Sequence, residues 1–342
     1  YFRNLGIDVY IGNARQPNVL QDAGAEQCRA LISVINDDYA NLEIGLNARY
    51  FQPDLRLVLR IFDESMADVI KEKFDIHLDV PIVDPSDDDQ EENRRKYRKT
   101  LWELRNRKGI NEYIAKRLVR QRDYFGPLML QHGDTDALIV GYSKNYRTVL
   151  RPVLEIIEKA KGVDKIASMM MILSDKKPYF FADTSIHVNP TPEEMANIAK
   201  MAEYAIKSFA IQPRIAMLSY ENFSANSETS KKVAKAVEIL HQKYPNMIVD
   251  GEIQPDFAMD ANHLRDYPFS KLGDTPANTF IFPNLESANL SYKIIRGMKV
   301  AQVVGPILMG LSQPVHVLQM RASVDEIVNL ATIAVLDAQM RE

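Results

Sequence analysis

Apolar positions along this chain fall into short runs separated by amphipathic stretches, a rhythm that predicts alternating strands and helices. Between residues 6 and 75 the order reads β-α-β-α-β-α. Residues 6–12 (GIDVYIG), 31–35 (LISVI) and 55–61 (LRLVLRI) have the length and apolar content of buried parallel strands. Segments 17–25 and 39–50 between them carry helical spacing, and Asp63-Glu64-Ser65 opens a further helix through Lys73. Pro17 suits a first helical turn, where the N–H it lacks has no partner to lose. Together these elements make half of a doubly wound sheet.

The rhythm breaks over residues 81–93 (PIVDPSDDDQEEN), an acid-rich stretch with two prolines that predicts a solvated connector and an acidic helix start. A basic helix follows over 94–107, and acids before bases suit the helix dipole. From Gly109 the alternation resumes. Helices are predicted over 111–122, 149–160, 192–209, 228–243, 288–297 and 324–340. Strands are predicted over 137–140, 166–173, 215–218, 278–281 and 301–308. Met169, Met170 and Met171 read as core strand. Thr191, Pro192 and Glu194 read as a helix start. The fold class is α/β: doubly wound, mostly parallel sheets with helices on both faces.

Composition narrows the function classes. A chain of 342 residues fits two domains or one large α/β domain. A net charge of −4 argues against a phosphate-backbone binder, and no aromatics interleave with a basic stripe, so nucleic acid is not expected as a partner. The single cysteine, Cys28, excludes an internal disulfide and a cysteine-based zinc site. The six histidines show no metal-ligand spacing, so no metal is expected; His187 falls in a strand-to-turn segment and His316 in an apolar loop after a proline. No apolar run is long enough to span a membrane and no signal peptide is visible, so the expected location is cytoplasmic.

Residues 6–75 resemble the TrkA-N (RCK) dinucleotide-binding family, on GIDVYIGNARQPNVLQDAGAEQCRALISVINDDYANLEIGLNARYFQPDLRLVLRIFDES. The resemblance implies a truncated Rossmann-like segment over residues 1–78, from the family's third strand onward. The family's glycine loop and the ribose-binding acid after it are missing, so there is no phosphate cradle and NAD is not expected. Asn13 and Asp37 are the positions where a nucleotide contact could persist; capping and turn formation are the favoured explanation of both.

Residues 81–342 resemble the phosphate acetyl/butyryl transferases, with the closest flavour that of the C-terminal regulatory domain of hybrid NADP-dependent malic enzymes. The segments TLWELRNRKGINEYIAKRLV, TDALIVGYSKNYRTVLRPVLEII, FADTSIHVNPTPEE, IQPRIAMLSY, VDGEIQPDFAMDA, ANTFIFPNLESANLSYKIIR and GPILMGLSQPVHVL carry it in order. It implies a two-subdomain transferase fold over 79–342, lacking its first strands, and acyl exchange between coenzyme A and phosphate. Acetyl-CoA or an acyl phosphate is then the implied small-molecule ligand, and a homodimer the implied assembly. Arg105 and Arg151 match family arginines at the acyl-phosphate site. Gln319 and Met320 stand where the family has Ser-Arg, and Arg321 lies one residue beyond. Glu326 stands at the position of the family's catalytic acid, but Ser323-Val324-Asp325-Glu326 also reads as a capping box. The loop after IAMLSY lacks glycine; Ser219 and Ser224 could still bind a ligand there, while Glu221 would repel an anion.

Three expectations stand side by side: an acetyl-CoA-binding regulatory domain with weakened acyl transfer, a working transferase with Glu326 as base, and a non-native fusion of two fragments.

Overall fold

The computed structural model describes residues 10, 12–28, 30–33, 35, 37–53, 55–59, 83–142, 144–174, 177–320 and 322–341. The chain divides into two compact units, Tyr1–Ile82 and Val83–Glu342. The helix expected over 63–73 lies outside the described residues, as does the strand expected over 6–12 apart from residues 10 and 12.

In the first unit, α1 (Pro17–Asp22) and α2 (Asp38–Phe51) pack with the parallel strands β1 (Ala30–Ser33) and β2 (Arg56–Leu59). Leu20, Ala25, Ile44, Ala48 and Leu55 form its small core. Asp37 caps α2, its side chain accepting from the Ala40 N–H at 3.0 Å. Asn13 closes a turn by accepting from the Arg15 N–H. Both residues therefore do local work, which explains them without a nucleotide.

The second unit opens with α3 (Glu91–Arg105), α4 (Glu112–Leu118) and α5 (Arg122–Gln131). The helix expected over 111–122 ends at Leu118, and a second helix that the pattern did not predict starts at Arg122. Next come β3 (Leu138–Val140), α6 (Tyr146–Ile156), β4 (Ala167–Leu173), β5 (Pro178–Ala182), α7 (Pro192–Lys207), β6 (Ile215–Leu218), α8 (Glu228–Lys243) and β7 (Val249–Ile253). The short helices α9 (Pro255–Met259) and α10 (Ala261–Leu264) lead to β8 (Thr279–Ile281), α11 (Leu285–Met298), β9 (Gln302–Met309), β10 (Val315–Val317) and α12 (Val324–Gln339).

Six strands form one sheet in the order β7-β6-β8-β5-β4-β9; β5, β6, β7 and β8 pair in parallel, and β4 runs antiparallel to both its neighbours. Alternate side chains reach opposite faces. Met169, Phe180, Ile215 and Met217 join the α7–α8 core, while Met170, Ile172 and Tyr292 join the other face under α11. Both faces are thus covered, as an α/β sheet with near-continuous apolar strands requires. Gly305 is needed where β9 crosses β4: at φ +132, a Cβ there would sit 2.9 Å from the Met169 carbonyl oxygen. A smaller parallel pair, β3–β10, lies beside a second core built from α3, α4, α5 and α6. His316 is in β10, not in a loop, since the three residues after Pro314 extend and pair with Leu138–Val140. No helix among the described residues is long and apolar enough to cross a membrane.

Candidate functional site

Helix α6 presents one face to the core through Val149, Leu150, Val153 and Ile156, at helical spacing. Its other face carries Arg151 and Glu155. The Arg151 Nε donates to Glu155 Oε1 at 2.9 Å. Arg105, the last residue of α3, places Nη2 3.8 Å from the same oxygen, and the Tyr124 hydroxyl of α5 donates to the other carboxylate oxygen at 2.7 Å. Three elements therefore converge on Glu155, whose side chain is 9% exposed. Burial pushes the Glu155 carboxyl up, but the Arg151 and Tyr124 hydrogen bonds and the nearby guanidinium charges outweigh it, leaving the group below the ordinary glutamate value. Burial and Glu155 push the Tyr124 phenol up to about 12. Two guanidiniums share one carboxylate here, and the buried Arg105 Nε has no partner at all. Arg105 and Glu155 wall a cleft of about 690 Å³ with Lys108, Lys159 and Lys165 and the acids Glu158 and Asp164; Lys165 is paired with Glu194, and Arg151 lies outside the lining. Spare planar N–H donors beside other cations suit a phosphate or carboxylate.

The second group forms where β10 runs out toward α12. Helix α11 starts at Asn284, which accepts from the Ser287 N–H, and aligns Ala288, Tyr292 and Arg296 at intervals of four. The Gln319 amide donates to the Tyr292 hydroxyl at 3.2 Å and accepts from Arg296 Nη1 at 2.8 Å. Arg296 Nη2 lies 2.7 Å from Glu326 Oε1. The other Glu326 oxygen accepts from the Ser323 N–H at 2.7 Å while the Ser323 hydroxyl accepts from the Glu326 N–H, the complete capping box of α12. Met320 is 57% exposed. Gln319 and Met320 wall a cleft of about 470 Å³ with Tyr146, Ser185, Tyr292 and Lys293. The Tyr146 hydroxyl is buried there without a partner, and burial pushes its acidity down by raising its pKa. Arg321 lies outside the described residues.

No residue lines both clefts, yet α6 serves both: Tyr146 at its start and Glu155 near its end, about 13 Å along the axis at ~1.5 Å per residue. The turn after β5 serves both as well, with Ser185 in one wall and Ile186 in the other. Asp183 holds that turn. Its Oδ1 accepts from the Ser168 hydroxyl at 2.6 Å, the Ser168 N–H and the Ser185 N–H; its Oδ2 accepts from the His187 N–H and lies 2.6 Å from His187 Nδ1. Burial works to raise the Asp183 pKa, and these bonds overcome it and hold the group below the ordinary aspartate value.

Ser219 and Ser224 join neither cleft. The Ser219 hydroxyl is buried against that of Ser230 at 2.7 Å. Glu221 turns inward to accept from the Ser224 hydroxyl and the Asn226 N–H, and Glu252 accepts from the Ala225 N–H. A loop without glycine is thus satisfied by its own Glu221 and by Glu252 of β7, and Ser227 caps α8. Among the described residues, no group of three His, Cys, Asp or Glu could hold a metal ion.

Of the residues named from the sequence, Arg105 lines one cleft and Gln319 and Met320 the other, while Arg151 and Glu326 line neither and join them only through Glu155 and Arg296. Glu155, Arg296, Lys293, Tyr146 and Asp183 were not named. The R-x-x-x-E spacing of Arg151 and Glu155 on one helix was an available signal for Glu155. The others become neighbours only through tertiary packing.

Residues 48–335 match the model of the phosphate acetyl/butaryl transferase family and residues 1–80 that of the TrkA-N domain. The two matches overlap over residues 48–80, a range that includes the join expected at 78–79. An NADP-dependent malic enzyme of Haemophilus influenzae is 36% identical over 265 residues, 77% of this chain and 34% of that protein. A phosphate acetyltransferase of Helicobacter pylori is 34% identical over 248 residues, 72% of this chain and 48% of that protein. The chain thus spans a third to a half of the length of these relatives. A phosphotransacetylase structure from Staphylococcus aureus superimposes with a TM-score of 0.71 at 26% identity, over 94% of this chain and 98% of that one.

Proposed function

Because the chain belongs to the phosphate acetyl/butaryl transferase family, we propose that it is an acetyl-CoA-binding regulatory domain whose acyl transfer is weakened. The observation that carries this reading is the commitment of Glu326. One oxygen caps α12 and the other pairs with Arg296. A carboxylate with both oxygens engaged in ground-state contacts is a poor acceptor for a thiol proton.

The reaction that the family performs needs three things of the protein. The coenzyme A thiol must lose its proton so that sulfur attacks the acyl carbon while the bond to phosphate oxygen breaks. The charge on the tetrahedral oxygen must be met by fixed donors. The leaving phosphate must be held. Arg105 and Arg151 retain the third function. Met320 offers no charge for the second, and Glu326 is occupied elsewhere for the first. Recognition thus survives better than chemistry.

One observation favours the second reading, a working transferase: Lys293 lines the same cleft as Met320, so a cation stands beside the position that lacks one. Two measurements separate the readings. Calorimetry with acetyl-CoA yields saturable heat on the first; no heat at millimolar ligand rejects it. CoA-dependent release of phosphate from acetyl phosphate stays at background on the first, and turnover abolished by Glu326→Gln establishes the second. The proposal includes a cytoplasmic homodimer as the working form, which sedimentation tests directly.

A further inference from the structure

A separate cavity of about 470 Å³ lies among α7, α12 and the end of β9. It shares no residue with the Gln319 cleft. Only Ala160 and Val163, at its rim, also touch the Arg105 cleft. Its interior is apolar, with Met201, Phe209, Ile307, Met309 and Ile333 in the walls. Gly310 opens it: a Cβ at that residue would meet the Met201 sulfur at 2.7 Å and Val163 at 2.9 Å.

One buried polar side chain faces this apolar space. His316 lines the cavity and is 1% exposed. Its Nδ1 faces the Leu308 N–H at 3.4 Å. Since a backbone N–H can only donate, Nδ1 is the acceptor and the ring proton sits on Nε2. Nε2 is buried and has no hydrogen-bond partner. Its nearest carboxylate oxygen, Asp337 Oδ2, is 3.8 Å away, and Arg341 already occupies both Asp337 oxygens at 2.8 and 3.0 Å. A buried donor left unpaired carries its full desolvation penalty, so such a group calls for an acceptor.

We propose that this cavity binds a small uncharged molecule with an apolar body and one carbonyl oxygen, which accepts the Nε2–H of His316. The volume falls in the range of small-molecule sites, and one placed polar group in an apolar chamber is the usual means of fixing orientation. The surroundings argue for an uncharged ligand. Burial pushes the imidazole down to about 4, so it offers a neutral N–H, not a cation. A carboxylate bound to it would lie beside Asp337. Of the other charged groups in the walls, Lys200 pairs with Glu203 and lies over the Tyr244 ring, Arg341 pairs with Asp337, and Lys161 is exposed to solvent. The site does not depend on the acyl-transfer reading. It is linked to that cleft through the strands, since Pro306 and Gln319 wall the cleft while Ile307 and His316 wall the cavity.

The test uses 4-phenylbutan-2-one as probe, with butylbenzene as the analogue lacking the carbonyl and 4-phenylbutyrate as the charged one, titrated into the full chain. Saturable binding of the ketone is expected, at least 10-fold tighter than either analogue. A shift of the His316 Nε2–H signal in an imidazole nitrogen-15 spectrum should accompany it. His316→Phe should weaken ketone binding at least 10-fold. Ala205→Trp, on the partly exposed wall of α7, should abolish it by filling the cavity even if the first variant folds poorly. Three results would overturn the proposal: no ketone binding to the folded chain, equal or tighter binding of either analogue, or binding unchanged in Ala205→Trp. Acetyl-CoA titration of the same samples reports independently on the proposed function.

Discussion

The Glu155 group and the Glu326 group each set a glutamate against arginine, but with opposite balance. Around Glu155, Arg105 and Arg151 share one carboxylate, and Arg105 keeps a buried N–H without a partner. Around Glu326, one arginine meets a carboxylate that also caps a helix, and the remaining guanidinium bond goes to Gln319. The first arrangement has donors left over for an anion. The second is closed on itself. Saturation, not the mere presence of charged residues, separates a recognition surface from a scaffold.

The largest break in this comparison comes from the turn that serves both sides. Asp183→Ala strands the Ser168 and His187 donors in the interior and releases Ser185 and Ile186 together. Removing one partner of a buried pair costs about 3–5 kcal/mol, so a fall in denaturation midpoint with unchanged slope is expected, and ligand binding should fail at both clefts. An unchanged midpoint would remove Asp183 from the account. The same residue sets a pH signature. Its folded pKa lies below the ordinary carboxyl value of about 4, so its contribution to stability is fully present above that value. The contribution is lost as pH falls through the lower folded value. Asp183→Asn should flatten the acid limb of a stability–pH curve measured from pH 6 downward; a limb as steep as the parent's would contradict this.

Legibility followed the same divide between local and distant causes. β6 and α8 match their predicted ranges because IAML is a plain apolar run and Ser227 is a plain cap. The capping box at Ser323–Glu326 was readable for the same reason. β7 was hidden because VDGEI carries two acids. The fold buries both by giving Asp250 the Gly251 and Lys271 N–H groups and Glu252 the Ala225 N–H. The break at Val119–Gln121 was hidden because the apolar period runs on across it. Arg105 and Arg151 were visible through family resemblance. Their common partner Glu155 required α3 and α6 to meet, and Arg296 required α11 to reach the end of β10.

Restoring the family pair sharpens the comparison from the chemical side. Gln319→Ser with Met320→Arg opens the closed group and returns a cation to the cleft. One charged stabiliser is worth about 10²–10³ in rate, so CoA-dependent phosphate release should rise from background by that factor. No gain in a folded double variant would show that more than these two positions is missing. On the other side, Arg105→Ala should weaken binding of acetyl phosphate about 10-fold or more, the loss typical of a charge-assisted hydrogen bond. Arg296→Ala should leave that binding unchanged. Equal losses in the two variants would erase the distinction between the groups.

Glu326→Gln makes the smallest change and isolates the closed side most cleanly. An amide oxygen still accepts from the Ser323 N–H, so the capping box survives while the ion pair with Arg296 is weakened. That pair is partly exposed, with the Arg296 side chain at 43%, and such pairs contribute about 0–1 kcal/mol. The denaturation midpoint should therefore barely move, and the residual phosphate release of the parent chain should be unchanged. Glu326→Ala also removes the bond from the Ser323 N–H, while the Ser323 hydroxyl still accepts from the N–H of residue 326, and should cost about 0.5–1 kcal/mol more. If Glu326→Gln instead abolishes a measurable turnover at unchanged stability, the glutamate leaves its cap during reaction. The group around it would then be a latch, not a closed scaffold.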